Sequence, residues 1–166
     1  MTDTEKGILP ENIDVSFLPT EEDYVYMNLE KEKYLTPKAN KIIFRIIGMA
    51  GILSGTAGLV LRNGNIIETI CFLLLIAVSL FVISFYDVIR PFLVFKSSSA
   101  FFRYNEKDII SKNLSINDKT ITVNDELHRI SIPKEYIYEV YKSKRTLFIF
   151  LDKEEFIYIP LRVLNS

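Results

Sequence analysis

Residues that commonly build catalytic and metal sites are scarce in this chain. Among 166 residues there is one histidine, His128, one cysteine, Cys71, and no tryptophan. A single cysteine excludes an internal disulfide and a thiolate metal cluster, and a single histidine excludes a pair of imidazole ligands. A serine nucleophile would also lack a base with an orienting partner. We therefore expect no cofactor, no metal and no enzymatic activity.

The chain also lacks an excess of either charge. It has 20 basic and 21 acidic side chains, and this balance gives no electrostatic reason to expect nucleic-acid binding. No glycine-rich loop is followed by Lys and Ser or Thr, which excludes the common phosphate-binding loop. The N-terminus, "MTDTEKGILPENID", is polar and acidic rather than basic and then apolar, so we expect no cleaved secretory signal.

Charge is nearly absent from the middle of the chain. Between Ile46 and Tyr86 the only charged residues are Arg62 and Glu68. Residues 42–61 and 69–86 are two apolar runs, which we assign to helices over 42–61 and 66–86. Twenty helical residues span about 30 Å, the thickness of a bilayer core. The intervening "RNGNIIE" is a tight turn, since Gly and Asn accept positive φ. The sequence therefore predicts a transmembrane helical hairpin. Together with the short strands predicted after it in the chain, this hairpin defines an α+β membrane protein.

Basic residues lie mainly outside this hairpin rather than in its connecting loop, which has only Arg62. The flanking ones are Lys31, Lys33, Lys38, Lys41, Arg45, Arg90, Lys96 and Arg103. The positive-inside bias places both termini in the cytoplasm. We interpret Arg45, near the start of the first run, as a snorkelling anchor rather than a functional charge.

Four of the six glycines lie in the first apolar run. Gly48, Gly51, Gly55 and Gly58 fall within about 80° of one another on a helix. Gly51-xxx-Gly55 is the spacing that lets two membrane helices approach closely. We predict that these glycines are helix-packing residues. Their partner is either the second run of the same hairpin, through Ala77 and Ser84, or the same groove on another copy, which would give a homodimer.

The pattern after the hairpin changes to a period of two. "NLSINDKTITVND" predicts a β-hairpin, "LHRISIP" a further strand, and "YEVYKS", "TLFIFLD" and "EFIYIP" three more short strands. This succession is typical of an antiparallel meander that closes into a small sheet or partial barrel. "NIDVSF" predicts an N-terminal strand over 12–17 that could complete the same sheet, which would make the hairpin an insertion in one domain.

Two helices are expected beside these strands. Thr20 and Asp23 have the spacing of a capping box, and they open a helix that we expect to end near "LTPK" at Pro37. The stretch 91–107 has much apolar surface beside its basic residues, so it is either an interfacial amphipathic helix or a helix packed on the following domain. We divide the chain into an N-terminal strand and helix (1–41), the hairpin (42–86), and a linker helix with a β domain (87–166).

Few charged clusters remain as candidate sites. "YKSKR" is basic and aromatic, so Lys142, Lys144 and Arg145 are candidate contacts for anionic lipid headgroups, with an ordinary solvated turn as the alternative. We interpret the acidic residues 21–23 as favourable charges at a helix N-terminus. His128 is expected to be a surface or cross-strand residue.

The order of these features resembles the YcxB-like family of bacterial membrane proteins. The opening "VSFLPTEEDYVYMN" and the ending "ISIPKEYIYEVYKSKRTLFIFLDKEEFIYIPLRVL" carry the resemblance. It implies a β domain similar to bacterial pleckstrin-homology-like (PH-like) modules, without known catalysis, at the bacterial inner membrane. Two features depart from the family pattern: Leu161 separates Pro160 from Arg162, and "VLNS" leaves little for a closing C-terminal helix.

These observations predict a non-enzymatic binding or scaffolding module. Its hairpin would anchor a PH-like domain at the cytoplasmic leaflet, where tethering makes it easier to meet a membrane-bound protein or lipid partner. The alternative is a membrane immunity or regulatory protein that acts through the hairpin itself.

Overall fold

The computed structural model describes residues 12–61, 64–125 and 128–164. The chain divides into two compact units. The first, here called the hairpin unit, is Glu32–Val94. The second, the sheet unit, takes its described residues from Met1–Lys31 and Phe95–Ser166. The hairpin unit is thus an insertion between two parts of the sheet unit in the sequence.

Two long helices make up most of the hairpin unit. Helix α2 covers Lys38–Leu61 and helix α3 covers Ile66–Ser84. Pro37 precedes α2, and a proline disfavours helical geometry in the residue before it. At the start of α3 the Asn65 side chain accepts a hydrogen bond from the Ile67 N–H at 2.9 Å, and Gly64 has a φ of +85°, as turn chemistry predicts. The predicted pair of apolar helices is present.

The second apolar helix does not end where the sequence suggested. A π-helical turn, Phe85–Ile89, joins α3 directly to helix α4, Arg90–Tyr104, so the helical stretch Ile66–Tyr104 is 39 residues long. Pro91 explains the π turn: its ring would clash with the carbonyl four residues earlier, at Asp87, and a wider turn relieves that clash. The predicted linker helix is therefore a continuation of the second helix.

The sheet unit contains seven short strands in two antiparallel sheets. The four-stranded sheet has the order β1-β2-β3-β4, and the three-stranded sheet has the order β5-β6-β7. Their bounds are Ile13–Phe17, Lys112–Ile116, Thr120–Asn124, Arg129–Pro133, Glu139–Lys142, Thr146–Phe150 and Phe156–Pro160. The N-terminal strand β1 pairs with β2, with Val15 opposite Leu114, although the hairpin unit separates them in sequence.

The strands do not form the single meander that the sequence suggested. Strand β4 ends at Pro133, which lacks an N–H for a further ladder bond, and a 3₁₀ turn at Lys134–Tyr136 follows. Among the described strands, β4 pairs only with β3, and β5 begins a second sheet. The observed class is an α+β protein with two small antiparallel sheets.

The core of the sheet unit is apolar and takes residues from both sheets. Leu114, Ile116 and Ile121 of the first sheet join Leu147, Ile149 and Ile159 of the second, all with at most 2% exposure. A short helix α5, Leu161–Leu164, packs Leu161, Val163 and Leu164 against this cluster. The chain thus has a one-turn helix where little closing helix was expected.

Helix α1, Glu21–Leu35, begins with the predicted capping box. The Thr20 N–H donates to Asp23 Oδ2 at 2.9 Å, and the Asp23 N–H donates to Thr20 Oγ1 at 3.2 Å. Val25 and Met27 are buried. The two reciprocal bonds satisfy N–H groups that have no partner within the helix.

Candidate functional site

The four glycines of α2 lie on the face that contacts α3. A Cβ atom built on Gly48 would lie 2.8 Å from the main-chain oxygen of Ser79, and one built on Gly55 would lie 2.6 Å from Ile76 Cγ1. Cβ atoms on Gly51 and Gly58 would overlap the side chains of Ser79 and Phe72. The absence of side chains therefore sets how closely the two helices approach.

The residues of α3 that meet this face are not the expected ones. The nearest atoms belong to Phe72, Ile76, Ser79 and Ile83 rather than to Ala77 and Ser84. These four recur at helical spacing and form one stripe on α3. Three apolar side chains and one serine thus fill the glycine groove, the face of α2 formed by Gly48, Gly51, Gly55 and Gly58. The contact between the two helices of one chain uses the whole groove, whereas a homodimer through the same glycines stays a proposal without structural support.

Charged and aromatic residues meet at one end of the hairpin unit. Arg45 Nη2 lies 2.6 Å from Asp87 Oδ2, and Arg90 Nε lies 2.5 Å from Glu32 Oε1. The Phe44 ring lies edge-on to Tyr86, with centroids 4.9 Å apart. Sequence reasoning took Arg45 to be a lone anchor and missed its pairing with Asp87, because the two residues are 42 positions apart.

The outward faces of α2 and α3 are apolar and uncovered. Fifteen large apolar side chains on these two helices are more than half exposed, among them Leu53 at 68% and Val60 at 82%. Helix α2 and the continuous helical stretch Ile66–Tyr104 are long and apolar enough to cross a membrane. Only 11% and 6% of their most apolar 18-residue segments is buried. A core helix of a water-soluble domain would be mostly buried instead.

In the sheet unit, three consecutive carboxylates of α1 bind three arginines from different elements. Asp23 pairs with Arg162 of α5, with Nε to Oδ1 at 3.0 Å and Nη2 to Oδ2 at 2.6 Å. Glu21 pairs with Arg103 of α4 and Glu22 pairs with Arg145 of the β5–β6 turn. Successive helix positions diverge by about 100°, so the three acids point to three different neighbours. They are structural ion pairs as well as favourable N-terminal charges.

These contacts hold the acids in their charged forms. Burial alone would raise the pKa of Asp23, but hydrogen bonds from Arg162 and Thr20 outweigh it and lower the pKa below its usual value. The hydroxyl of Ser99, which donates to Glu21 Oε1 at 2.5 Å, lowers the pKa of Glu21 together with Arg103. Both carboxylates therefore stay ionised at neutral pH.

A cleft of about 520 Å³ opens beside these ion pairs. It is lined by the first turns of α1, by the β5–β6 turn and by α5. Its charged members are Glu22, Asp23, Lys144, Arg145 and Arg162, and Thr20 and Thr146 add hydroxyl groups. The site therefore has three cations and two carboxylates.

The three predicted headgroup contacts do not lie together. Lys144 and Arg145 line the cleft, whereas Lys142 is an exposed residue of β5 outside it. The Arg145 guanidinium carbon lies 3.8 Å from the centre of the Tyr26 ring, a cation–π contact that orients the side chain. Among the described residues Lys144 has no ion-pair partner.

Sequence reasoning missed Arg162 and Tyr26 as members of this cleft. In the sequence, Arg162 stands out only by its separation from Pro160 by Leu161, and Tyr26 is one residue of a predicted helix. The Arg162 Nη2 also donates to the Leu18 carbonyl at 3.0 Å, which locks the side chain in place. No local pattern pairs residues 139 positions apart, so this contact has no direct signal in the sequence.

His128 is a surface residue, as expected, although it precedes β4 rather than lying in the strand. Its side chain is 74% exposed, and Nδ1 lies 3.7 Å from Asp125 Oδ1. Within the described residues no group of three His, Cys, Asp or Glu side chains could hold a metal ion.

Comparison of the chain with protein-family models, with curated proteins and with solved structures finds no match. The YcxB-like resemblance is therefore still a prediction made from the opening and closing motifs.

Proposed function

We propose that this protein is a non-enzymatic binding module, anchored by its helical hairpin in the bacterial inner membrane with both chain ends in the cytoplasm. The observation that carries the proposal is the uncovered apolar surface of α2 and α3. Soluble monomers rarely expose contiguous apolar patches larger than a few hundred Å². Lipid is the solvent that makes such a surface stable.

The inward face of the hairpin supports the same environment. Apolar side chains gain little from leaving lipid, so membrane helices associate through close packing of small residues. The glycine groove against Ser79 and Ile76 provides such packing. The charged pair beside it marks the end of the hairpin unit at which the chain enters α2 and leaves α3. Arg45 lies near the start of α2, and Asp87 lies in the π turn after α3. In the proposed topology this end faces the cytoplasm, where basic flanking residues are enriched.

The sheet unit is the proposed binding part. Two antiparallel sheets around an apolar core, with a short helix at the end, are compatible with the PH-like module that the resemblance implies. The three carboxylates at the start of α1 are engaged in ion pairs with α4, the β5–β6 turn and α5, which favours a structural over a catalytic use of these acids. Attachment to the hairpin would keep the module at the membrane surface and raise its effective concentration near membrane partners.

Fractionation and reporter fusions test the anchor and its orientation. The full-length chain should stay with membranes during alkaline carbonate extraction and leave them in detergent. A fluorescent protein fused after Ser166 should mature, because it folds in the cytoplasm, and alkaline phosphatase at the same position should be inactive. Release by carbonate would contradict the anchor, and active phosphatase would contradict the orientation.

A hairpin exchange separates the anchor from the alternative, a regulatory or immunity protein that acts through its spans. Residues 38–89 are replaced by an unrelated two-helix membrane hairpin of equal length, and partners are recovered by cross-linking from native membranes. Partners retained by the exchanged protein support the anchor role. Loss of all partners, while the sheet unit stays folded by hydrogen exchange, supports the alternative.

A further inference from the structure

The cleft of the sheet unit has spare hydrogen-bond donors but few spare acceptors. Both carboxylate oxygens of Asp23 are engaged, Oδ1 by Arg162 and Oδ2 by Arg162 and the Thr20 N–H. The Glu22 carboxylate is engaged by Arg145 Nη1. A ligand that enters the cleft therefore meets one carboxylate, Asp23, with both oxygens engaged and a second, Glu22, engaged through Oε1.

The donors, by contrast, are only partly used. Among the described residues, Arg162 bonds through Nε and Nη2, which leaves Nη1 free. Arg145 bonds through Nη1 alone, and Lys144 has no partner. Three cationic side chains from the β5–β6 turn and α5 therefore offer free N–H groups to one cleft. Such a set favours a ligand that is rich in acceptors and negatively charged.

Two of these donors are held in place before a ligand binds. The Tyr26 ring fixes the Arg145 guanidinium from one side, at 3.8 Å, and Asp23 with the Leu18 carbonyl fixes Arg162. A guanidinium that is already oriented loses less freedom on binding than a mobile one. The Glu22–Arg145 pair is the replaceable contact, because Glu22 is 69% exposed and exposed ion pairs contribute little.

We propose that this cleft binds a phosphate monoester, and that the phosphate displaces Glu22 from Arg145 and bonds to Lys144, Arg145 and Arg162. A phosphate monoester carries nearly two negative charges and three acceptor oxygens, which suits three separate donors. The cleft volume of about 520 Å³ exceeds that of a phosphate, so it also admits the first atoms of the esterified alcohol. This inference deepens the proposed binding function, on which it rests for the choice of a membrane-side ligand. The same chemistry is offered by a phosphatidic acid headgroup and by a soluble phosphate ester.

The test uses the full-length protein in micelles of an uncharged detergent and isothermal titration calorimetry. One arm titrates glycerol 3-phosphate, a soluble ester, and the other titrates dihexanoyl phosphatidic acid, a lipid with the same headgroup. Binding of either probe supports the proposed phosphate site. The probe with the higher affinity shows whether the ligand is a soluble ester or a lipid headgroup. The proposal would be overturned if neither probe bound at concentrations up to 10 mM. A dissociation constant of that size corresponds to a binding free energy of about 3 kcal/mol.

Two matched pairs of variants show whether binding occurs in the cleft. Lys144→Gln should weaken binding about tenfold, because it removes a charged hydrogen bond. Lys142→Gln changes the net charge equally but lies outside the cleft, so it should change affinity less than twofold. Equal losses in both variants would mean diffuse attraction to the surface and would refute a site.

The second pair tests the displacement of Glu22. Glu22→Gln should tighten binding about threefold, since the competing carboxylate is gone. Glu154→Gln, an exposed residue of the β6–β7 turn, is the charge-matched control and should have little effect. Weaker binding by Glu22→Gln would contradict the proposed displacement. Because the titration needs no bilayer, its failure is distinct from a failure of the anchor, which carbonate extraction measures.

Discussion

The packing of the glycine groove predicts different effects for different Gly→Ala variants, because each added methyl group meets a different atom of α3. In Gly48→Ala the new Cβ would overlap the Ile83 side chain, which can change rotamer, and would lie 2.8 Å from the main-chain oxygen of Ser79, whereas ordinary contact begins at 3.4 Å. Helix α3 must then move by about 0.6 Å at this level, since a main-chain oxygen cannot rotate away. Overpacking of this kind costs about 1–3 kcal/mol, against about 1 kcal/mol gained in helix propensity. We expect a net loss of about 1 kcal/mol of hairpin stability.

Gly51→Ala meets a different atom and should be relieved by a second change. Its Cβ would overlap Ser79 Oγ, whereas Ser79 Cβ lies 3.1 Å away. Ser79→Ala removes the clashing oxygen, so it should restore at least half of the stability lost in Gly51→Ala. The same change leaves the main-chain oxygen opposite Gly48 in place and should restore nothing in Gly48→Ala.

The assay is energy transfer between one dye on each helix, both placed toward the end of the hairpin unit where Arg45 meets Asp87. Cysteines replace Lys38 and Val88 in a Cys71→Ser background, and the protein in mild detergent is titrated with SDS until transfer is lost. Ala50→Leu adds more bulk on an exposed face of α2 and serves as the control, with no expected change. The described packing would be refuted if Ser79→Ala rescued both glycine variants equally, or if Ala50→Leu opened the hairpin as readily.

Three further predictions concern charge. The pKa of Asp23 is lowered in the folded state, so its charged form stabilises the sheet unit above about pH 4, and this stabilisation is lost as the pH falls through the lowered pKa. Asp23→Asn should therefore melt at a lower temperature than wild type at pH 7, and the difference should shrink as the pH is lowered into the acid range. Burial, with the nearby charge of Asp23, raises the pKa of Tyr158 to about 12. The stability of the sheet unit should therefore fall as the pH rises above 10, and Tyr158→Phe should remove the part of this fall that is due to the Tyr158 hydroxyl. Asp87→Asn leaves Arg45 without its ion-pair partner. If the pair lies in water, the variant should lose at most about 1 kcal/mol of hairpin stability in the SDS titration. A loss above about 2 kcal/mol would indicate that the pair faces lipid.

Local patterns were sufficient to predict most of the secondary structure. The two apolar runs predicted α2 and α3, because a long apolar run with at most one charge and no proline has few alternatives to a helix. Alternation of apolar and polar residues predicted β2 and β3, short apolar segments bounded by Pro133 and by charged turns predicted β4 to β7, and the Thr20–Asp23 spacing predicted the start of α1. The π turn at Phe85–Ile89 was missed, although Pro91 was the signal for it.

Contacts between distant residues could not be predicted in the same way. Charge complementarity does not depend on sequence distance, so nothing local assigns Arg103, Arg145 and Arg162 to three neighbouring acids of α1. The division of the strands into two sheets likewise depends on the exit of the chain at Pro133. The glycine face was visible as a stripe, but its partners on α3 depend on the rotation of that helix, which uniform apolar sequence does not fix.

The central claim, that lipid covers the hairpin, can be tested on the single native cysteine. Cys71 is exposed on the outer surface of α3, so a small water-soluble maleimide would label it rapidly if the protein were in water. In intact membranes we predict that Cys71 stays unlabelled until SDS is added, while a cysteine placed at Asn117 in a Cys71→Ser background is labelled once the membranes are opened. Rapid labelling of Cys71 in intact membranes, or in a soluble fraction free of detergent, would contradict the account.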